Sequence, residues 1–315
     1  MSTAIASCGP LPAPRAYRHD PSVWLAQCAL GLTLYTRHRP PEPGAGAARM
    51  LSMFLEYAPR ERLRWMRTSL RNRWVALRER ELEMLVEELG ARGLDGSPRH
   101  LFELHVADRT DAPQVFFSHR EVDEARGVGA GYIQLGLRPE DSAGDLFQLA
   151  MEACHHVPHW WGTAGYLVAM NPFDPCSAAS AAWRWAKRYW GVDVQQPDRQ
   201  RIRAPLGPSS VNWLTLLGRG LLDRAPEARE EIGADAVRND ASWLEGREGG
   251  LLRAAPSPTL ADMNWMESCS SYASAHHVLR DFIAPAGRAV YGGFWEADAL
   301  SAWARRFTEP EGWVR

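Results

Sequence analysis

From Val23 to Thr36 the apolar residues keep one parity. Trp24, Ala26, Cys28, Leu30, Leu32 and Leu34 fall on one side, and Gln27 and Thr33 on the other. Side chains alternate at period two in a β-strand, so this stretch predicts a half-buried strand. It is also the longest run without Asp, Glu, Lys, Arg or His, positions 21–36. That is shorter than the ~20 apolar residues a spanning helix needs, so no membrane partner is expected.

The rest of the chain mixes both periodicities. Ala47, Met50, Leu51, Phe54 and Leu55 form a helical stripe that closes before Pro59, after a loop at Arg39–Gly44. The stretch from Leu63 to Trp74 fits strand or helix. Leu82, Leu85, Val86 and Leu89 predict a second helix, with Gly90 at its C-terminal cap. Phe102, Leu104 and Val106 alternate with Glu103 and His105, and a turn at Asp108–Pro113 leads to apolar Val115–Phe117. This predicts an antiparallel hairpin, with a further strand at Ile133–Leu137. A helix over 144–157 should bury Phe147, Ala150, Met151 and Cys154, and Ala164–Met170 should be a strand. Asp174-Pro175 is an N-cap followed by proline at the first helical position. It opens a helix carrying Ala179, Ala182, Trp183, Ala186 and Trp190, which should stop at Gly191. Short apolar pieces follow at Val211–Leu217, Tyr272–Phe282 and Leu300–Phe307. Without strict βαβ alternation, the expected fold is α+β. It is a single large domain over 21–315, with mainly antiparallel strands and packed helices, behind a flexible leader at 1–20.

The 36 basic and 38 acidic residues leave a formal net charge of −2, which removes the simplest argument for a nucleic-acid partner. The richest basic stretch, Arg60 to Arg92, is interleaved with Glu at helical spacing and reads as a solvated face. The five cysteines, Cys8, Cys28, Cys154, Cys176 and Cys269, are odd in number and scattered, with no CxxC pair. Reduced thiols in a bacterial cytoplasm fit this pattern.

Few residues suggest chemistry. His155, His156 and His159 are the candidate metal ligands, since His155 and His159 would share a helix face at i and i+4. Pro158 opposes this, because it should end the helix near Val157. Cys154 beside His155 is a possible dyad, but neighbours on a helix point about 100° apart. His119 and Glu121 share a loop, and His276-His277 is an isolated pair. No Gly-x-Ser-x-Gly elbow occurs. The glycines of 127–131 precede a strand, not a helix, and read as a turn. No catalytic residue and no cofactor is expected.

Five stretches, in this order and at these spacings, carry a family resemblance. They are Gly131-Tyr-Ile-Gln-Leu-Gly-Leu137, Gly162-Thr-Ala-Gly-Tyr166, Arg188-Tyr-Trp-Gly-Val-Asp193, Val211-Asn-Trp-Leu-Thr215 and Ala261-Asp-Met-Asn264. Together they make residues 20–285 resemble the bacterial type VI immunity family. The chain departs at Trp190, where the family has Pro, and at Ala261, where it has Gly. The resemblance implies an immunity protein that neutralises a cognate type VI secretion toxin by stoichiometric binding. It supplies no catalytic or metal-binding residue. Two other readings stand beside it: a metal-dependent hydrolase using the histidines at 155–159, and a structural component of the secretion machinery. A homodimer stays open.

Fourteen tryptophans exceed what alternation or helical phase requires. Trp24 and Trp183 fall in phase with apolar stripes and should be core, and the resemblance gives Trp213 a structural role. Trp160, Trp161, Trp243, Trp265, Trp295 and Trp313 lie in or beside expected loops. An exposed cluster among them would be the first choice for the toxin-binding face.

Overall fold

The computed structural model describes residues 11–16, 20–37, 44–91, 101–122, 129–141, 143–194, 196–284 and 295–314. Eleven strands form one sheet: β1 (Arg15–Ala16), β2 (Trp24–Thr36), β3 (Trp65–Thr68), β4 (Val75–Ala76), β5 (Glu103–Ala107), β6 (Phe116–Arg120), β7 (Tyr132–Leu137), β8 (His159–Met170), β9 (Leu214–Gly218), β10 (Ser242–Glu245) and β11 (Gly249–Arg253). Their order is β10-β11-β9-β8-β2-β7-β6-β5-β3-β4, with β1 added to β2 and every strand pair antiparallel. The helices are α1 (Ala45–Tyr57), α2 (Glu79–Ala91), α3 (Ala143–His156), α4 (Pro175–Arg188), α5 (Pro197–Gln200), α6 (Arg219–Leu222), α7 (Pro226–Arg238), α8 (Ser270–Val278), α9 (Ala297–Ala304) and α10 (Pro310–Val314). The fold is α+β, built on a wide antiparallel sheet. Among the described residues no helix is long and apolar enough to cross a membrane.

Two neighbouring cross-strand rows show how alternation builds this sheet. Met66, Val106, Phe117, Leu135, Leu32, Ala164 and Leu214 are in register across β3, β5, β6, β7, β2, β8 and β9. All seven are apolar and buried. Phe54 of α1 meets Phe117 at 6.0 Å between ring centres, so this is the face that α1 covers. One residue along each strand, the register joins Arg67, His105, Ser118, Gln134, Thr33, Thr163 and Thr215. That second row is polar throughout and lies on the opposite face.

The polar face is not left to solvent. From Ala26 to Thr36, β2 is buried on both sides, which corrects the half-buried strand expected from its alternation. Asp193 and Asn212 bond to this face, and its own residues bond along it. Thr163 donates to Asp193 at 2.9 Å, Gln134 donates to Thr33 at 3.1 Å, and the Asn212 side chain donates to the Tyr166 carbonyl at 3.3 Å. These hydroxyls and amides are tolerated because they gain partners, whereas Gln27 Oε1 and Tyr35 Oη have none among the described residues. Gly165, at φ +152°, leaves room for Asn212, whose Oδ1 would lie 2.3 Å from an added Cβ.

The hairpin at β5 and β6, the helix at α1 and the Asp174 cap, which accepts from the Ser177 N–H at 3.1 Å, match expectation. Other expectations need correction. Leu63–Trp74, open between strand and helix, holds strand only at Trp65–Thr68. Gly90 does not cap α2, which continues to Ala91. α3 buries Leu146, Leu149, Ala150, Ala153 and Cys154, with Phe147 and Met151 half-buried beside that stripe. Phe147 is shielded by the Arg253 guanidinium at 5.1 Å. β8 starts five residues earlier than expected, and α4 ends at Arg188, leaving buried Trp190 in the following turn. Residues 1–10 and 17–19 of the expected leader lie outside the described residues, as do positions 38–43, Gly127 and Val128.

Ala261, where the resemblance leads one to expect Gly, has φ +49°. The left-handed region costs an L-residue about 1–2 kcal/mol, and glycine there costs about 0.4–1 kcal/mol in unfolded-chain entropy. The Ala261 methyl is buried, worth about 0.8 kcal/mol. These nearly cancel, so Ala261→Gly should move urea-unfolding stability by less than about 1 kcal/mol. Ala261→Val, β-branched at positive φ, should lower it clearly.

Candidate functional site

The three candidate metal ligands diverge. α3 ends at His156, as Pro158 requires, and the chain turns into β8. His156 is exposed and lies 3.3 Å from Glu152. His155 is half-buried, with its ring centre 6.2 Å from that of His156. His159 is buried with Nδ1 at 2.7 Å from the Val157 carbonyl, and burial lowers its pKa to about 4. Among the described residues no group of three or more His, Cys, Asp or Glu could hold a metal ion. The Cys154 thiol is buried in the α3 stripe and pushed up to about 12 by that burial, so it is not a poised nucleophile.

The tryptophans separate by burial. Trp161 is fully buried on β8, its ring 4.4 Å from Tyr35. Trp295 and Trp313 are buried against α4, donating to the Ala179 and Ala186 carbonyls at 3.1 and 3.2 Å. Trp183 meets both edge-on, at 4.8 and 5.0 Å, and is half-buried instead of core. The single lysine, Lys187, lies over Trp183 and Trp313. Trp24 is also half-buried, under the Arg109 guanidinium at 4.0 Å. Trp243 and Trp160 are half-buried on β10 and β8, and Trp265 is 65% exposed. The expected loop tryptophans therefore do not form one exposed cluster. Buried Trp161, Trp295 and Trp313 are core, because helix and strand contacts distant in sequence enclose them.

Trp265 is presented by a tightly held turn. Arg188 grips the Asp262 carboxylate with Nε at 2.9 Å and Nη2 at 2.7 Å. Asp262 also accepts from the Asn264 N–H at 3.0 Å, and its own N–H donates to Glu267 at 2.9 Å. Met266, at φ +53°, turns the chain and stands 90% exposed beside Trp265.

The polar face carries a cleft of about 550 Å³ between β5–β7 and the stretches around Asn171 and Asp198. Arg120 bridges Glu103 at 2.8 Å and Asp198 at 2.7 Å along one side. On the floor, His105 Nδ1 lies 3.0 Å from Ser118 Oγ. Burial, reinforced by the Arg67 charge, lowers the His105 pKa to about 4, so the ring is neutral at pH 7. No carboxylate bonds its other nitrogen among the described residues, so the pair lacks the third group that orients a catalytic base. Sequence reading missed this pair; the alternation of His105 with Val106 was visible, but its register with Ser118 was not.

The stretches that carry the family resemblance converge on this same face. Gln134, Thr163 and Thr215 stand in the polar row, Asp193 and Asn212 bond across it, and Arg188 of the third stretch grips Asp262 of the fifth. Trp213 donates to the Ala255 carbonyl at 2.7 Å. These residues act inside the molecule, as a hydrogen-bonded frame under a wide sheet.

Residues 48–307 match the family described as TsiV, type VI immunity for VRR-NUC, and the chain belongs to this family of type VI immunity proteins. Its fold is shared with the solved structure of the Pseudomonas aeruginosa T6SS protein PA0821. The TM-score is 0.74 at 17% identity, covering 92% of this chain and 88% of that one. No curated protein matches the chain.

Proposed function

We propose that this protein binds a VRR-NUC effector of a type VI secretion system and blocks it stoichiometrically, with no chemical step of its own. The observation that carries this reading is the family match over residues 48–307. It is supported by where the resemblance-bearing residues act, since they hold the scaffold and leave the surface to set the partner. Trp160, Trp243 and Trp265 keep exposed surface and are the toxin-binding candidates that remain. The site of action is the cytoplasm, where a nuclease would meet the chromosome.

Deleting the gene should make cells sensitive to siblings that deliver the effector, and only while the effector gene is intact. Competition between the deletion strain and its parent reads this out. Full resistance of a strain lacking every copy would sink the proposal. Co-purification with sheath or baseplate components in place of the effector would favour the machinery reading.

A further inference from the structure

We propose that the face around Trp160 docks onto a carboxylate-bearing surface of the effector. This rests on the immunity reading and adds the partner's chemistry. Trp160 is half-buried at the start of β8, and its indole N–H donates to the Gly129 carbonyl at 2.8 Å. Two guanidiniums from distant parts of the chain flank the ring, Arg37 at 4.4 Å and Arg224 at 4.9 Å from its centroid. Arg224 also donates to the Pro205 carbonyl. Neither guanidinium has an acidic partner among the described residues, and Asp223 beside Arg224 is taken by Arg229 at 3.0 Å. In the turn carrying Pro205, Ile202 and Leu206 stand 59% and 56% exposed.

The combination is specific. Arg188 is answered by Asp262, and Arg120 by Glu103 and Asp198, while Arg253, over Phe147 and Trp213, donates to the Ala255 and Pro256 carbonyls. Here two are held by an aromatic ring instead, with donors still free for a bidentate carboxylate. Because the ring is already fixed by its hydrogen bond, binding immobilises little that was mobile. Exposed apolar residues beside a Trp and two Arg make the composition of an interface hot spot. The chain's net charge of −2 gives no long-range attraction to an acidic partner, so any steering must be local.

The test measures affinity of the full chain for the purified VRR-NUC domain of its cognate effector. Arg37→Glu/Arg224→Glu should weaken binding roughly 100-fold, equivalent to about 2.7 kcal/mol. Arg37→Lys/Arg224→Lys should keep part of it. Leu206→Glu, at an exposed position, should weaken binding about tenfold without disturbing the fold, and so covers the case where the double variant does not fold. Raising NaCl from about 50 to about 500 mM should slow wild-type association. Wild-type affinity retained within about threefold in both glutamate variants, or undiminished association at high salt, would overturn this face as the docking site while leaving the immunity reading intact. Failure of the wild-type chain to bind overturns the immunity reading and this proposal with it.

Discussion

Trp161→Ala lowers the stability of the protein by about 3–5 kcal/mol, the range for truncating a buried large aromatic. Trp161 has no exposed surface, lies in the strand next to central β2, and packs against Tyr35 with ring centres 4.4 Å apart and planes tilted by 43°. Its removal opens a cavity between strands that cannot collapse without breaking the β2–β8 ladder. Among the described residues the indole N–H has no hydrogen-bond partner. Trp161→Phe keeps a ring and removes an unsatisfied donor, so it should cost much less than the alanine change. Urea unfolding followed by far-UV circular dichroism measures both. Trp265→Ala, at an exposed turn, should leave the midpoint where it was. If Trp161→Ala were as harmless as Trp265→Ala, the division into core and surface tryptophans would be wrong.

Asp262→Ala is the second large effect, about 3 kcal/mol. The side chain is wholly buried and holds Arg188 in a two-pronged grip while capping the Asn264 N–H. Its loss leaves the guanidinium and an amide without their acceptor. Burial pushes the Asp262 carboxyl up, but the hydrogen bonds from Arg188 and Asn264 and the Arg188 charge outweigh it, so the pKa stays below the ordinary carboxylate value. A lowered folded-state pKa stabilises fully above the unfolded value, about 3.9, and that contribution is lost as pH falls through the folded one. The stability gap between wild type and Asp262→Ala should therefore be flat from about pH 5 to pH 8 and shrink below about pH 4. A gap that stayed constant into strong acid would contradict the ionised pair. Asp262→Asn, which can still accept from the Asn264 N–H, should fall between the two.

How much of this was legible in the sequence depended on whether the cause was local. The alternation of Leu30, Leu32 and Leu34, and of Leu104 and Val106 around His105, located strands because it reflects two faces with different surroundings. The Asp174-Pro175 cap and the Pro158 stop are properties of a few bonded residues. What escaped was register and cover. The Gln27 and Thr33 parity suggested a solvated face, yet the strand is buried on both sides and Asp193 and Asn212 bond to that face in ways that no local pattern announces. The hairpin of β10 and β11 was hidden because its strands are short and set among glycines 246, 249 and 250. Trp295 and Trp313 read as loop residues because the helix that buries them, α4, lies more than a hundred positions upstream. The candidate site shows the same limit. Trp160 stood out by composition, whereas Arg37 and Arg224, which flank its ring, lie far from it in sequence. The five stretches of resemblance were visible as strings, but only the fold shows that four of them meet at one polar face and that Arg188 ties the fifth to the third.

The central claim is that this chain inactivates a VRR-NUC effector by occupying it. The most direct measurement titrates purified chain into the VRR-NUC domain of its cognate effector while DNA hydrolysis is followed. Hydrolysis should fall linearly and stop at one equivalent of chain, and the effector's mass should be unchanged when the complex is dissociated. Hydrolysis that continues under excess chain, or that ends at a small fraction of an equivalent with a changed effector mass, would contradict the account.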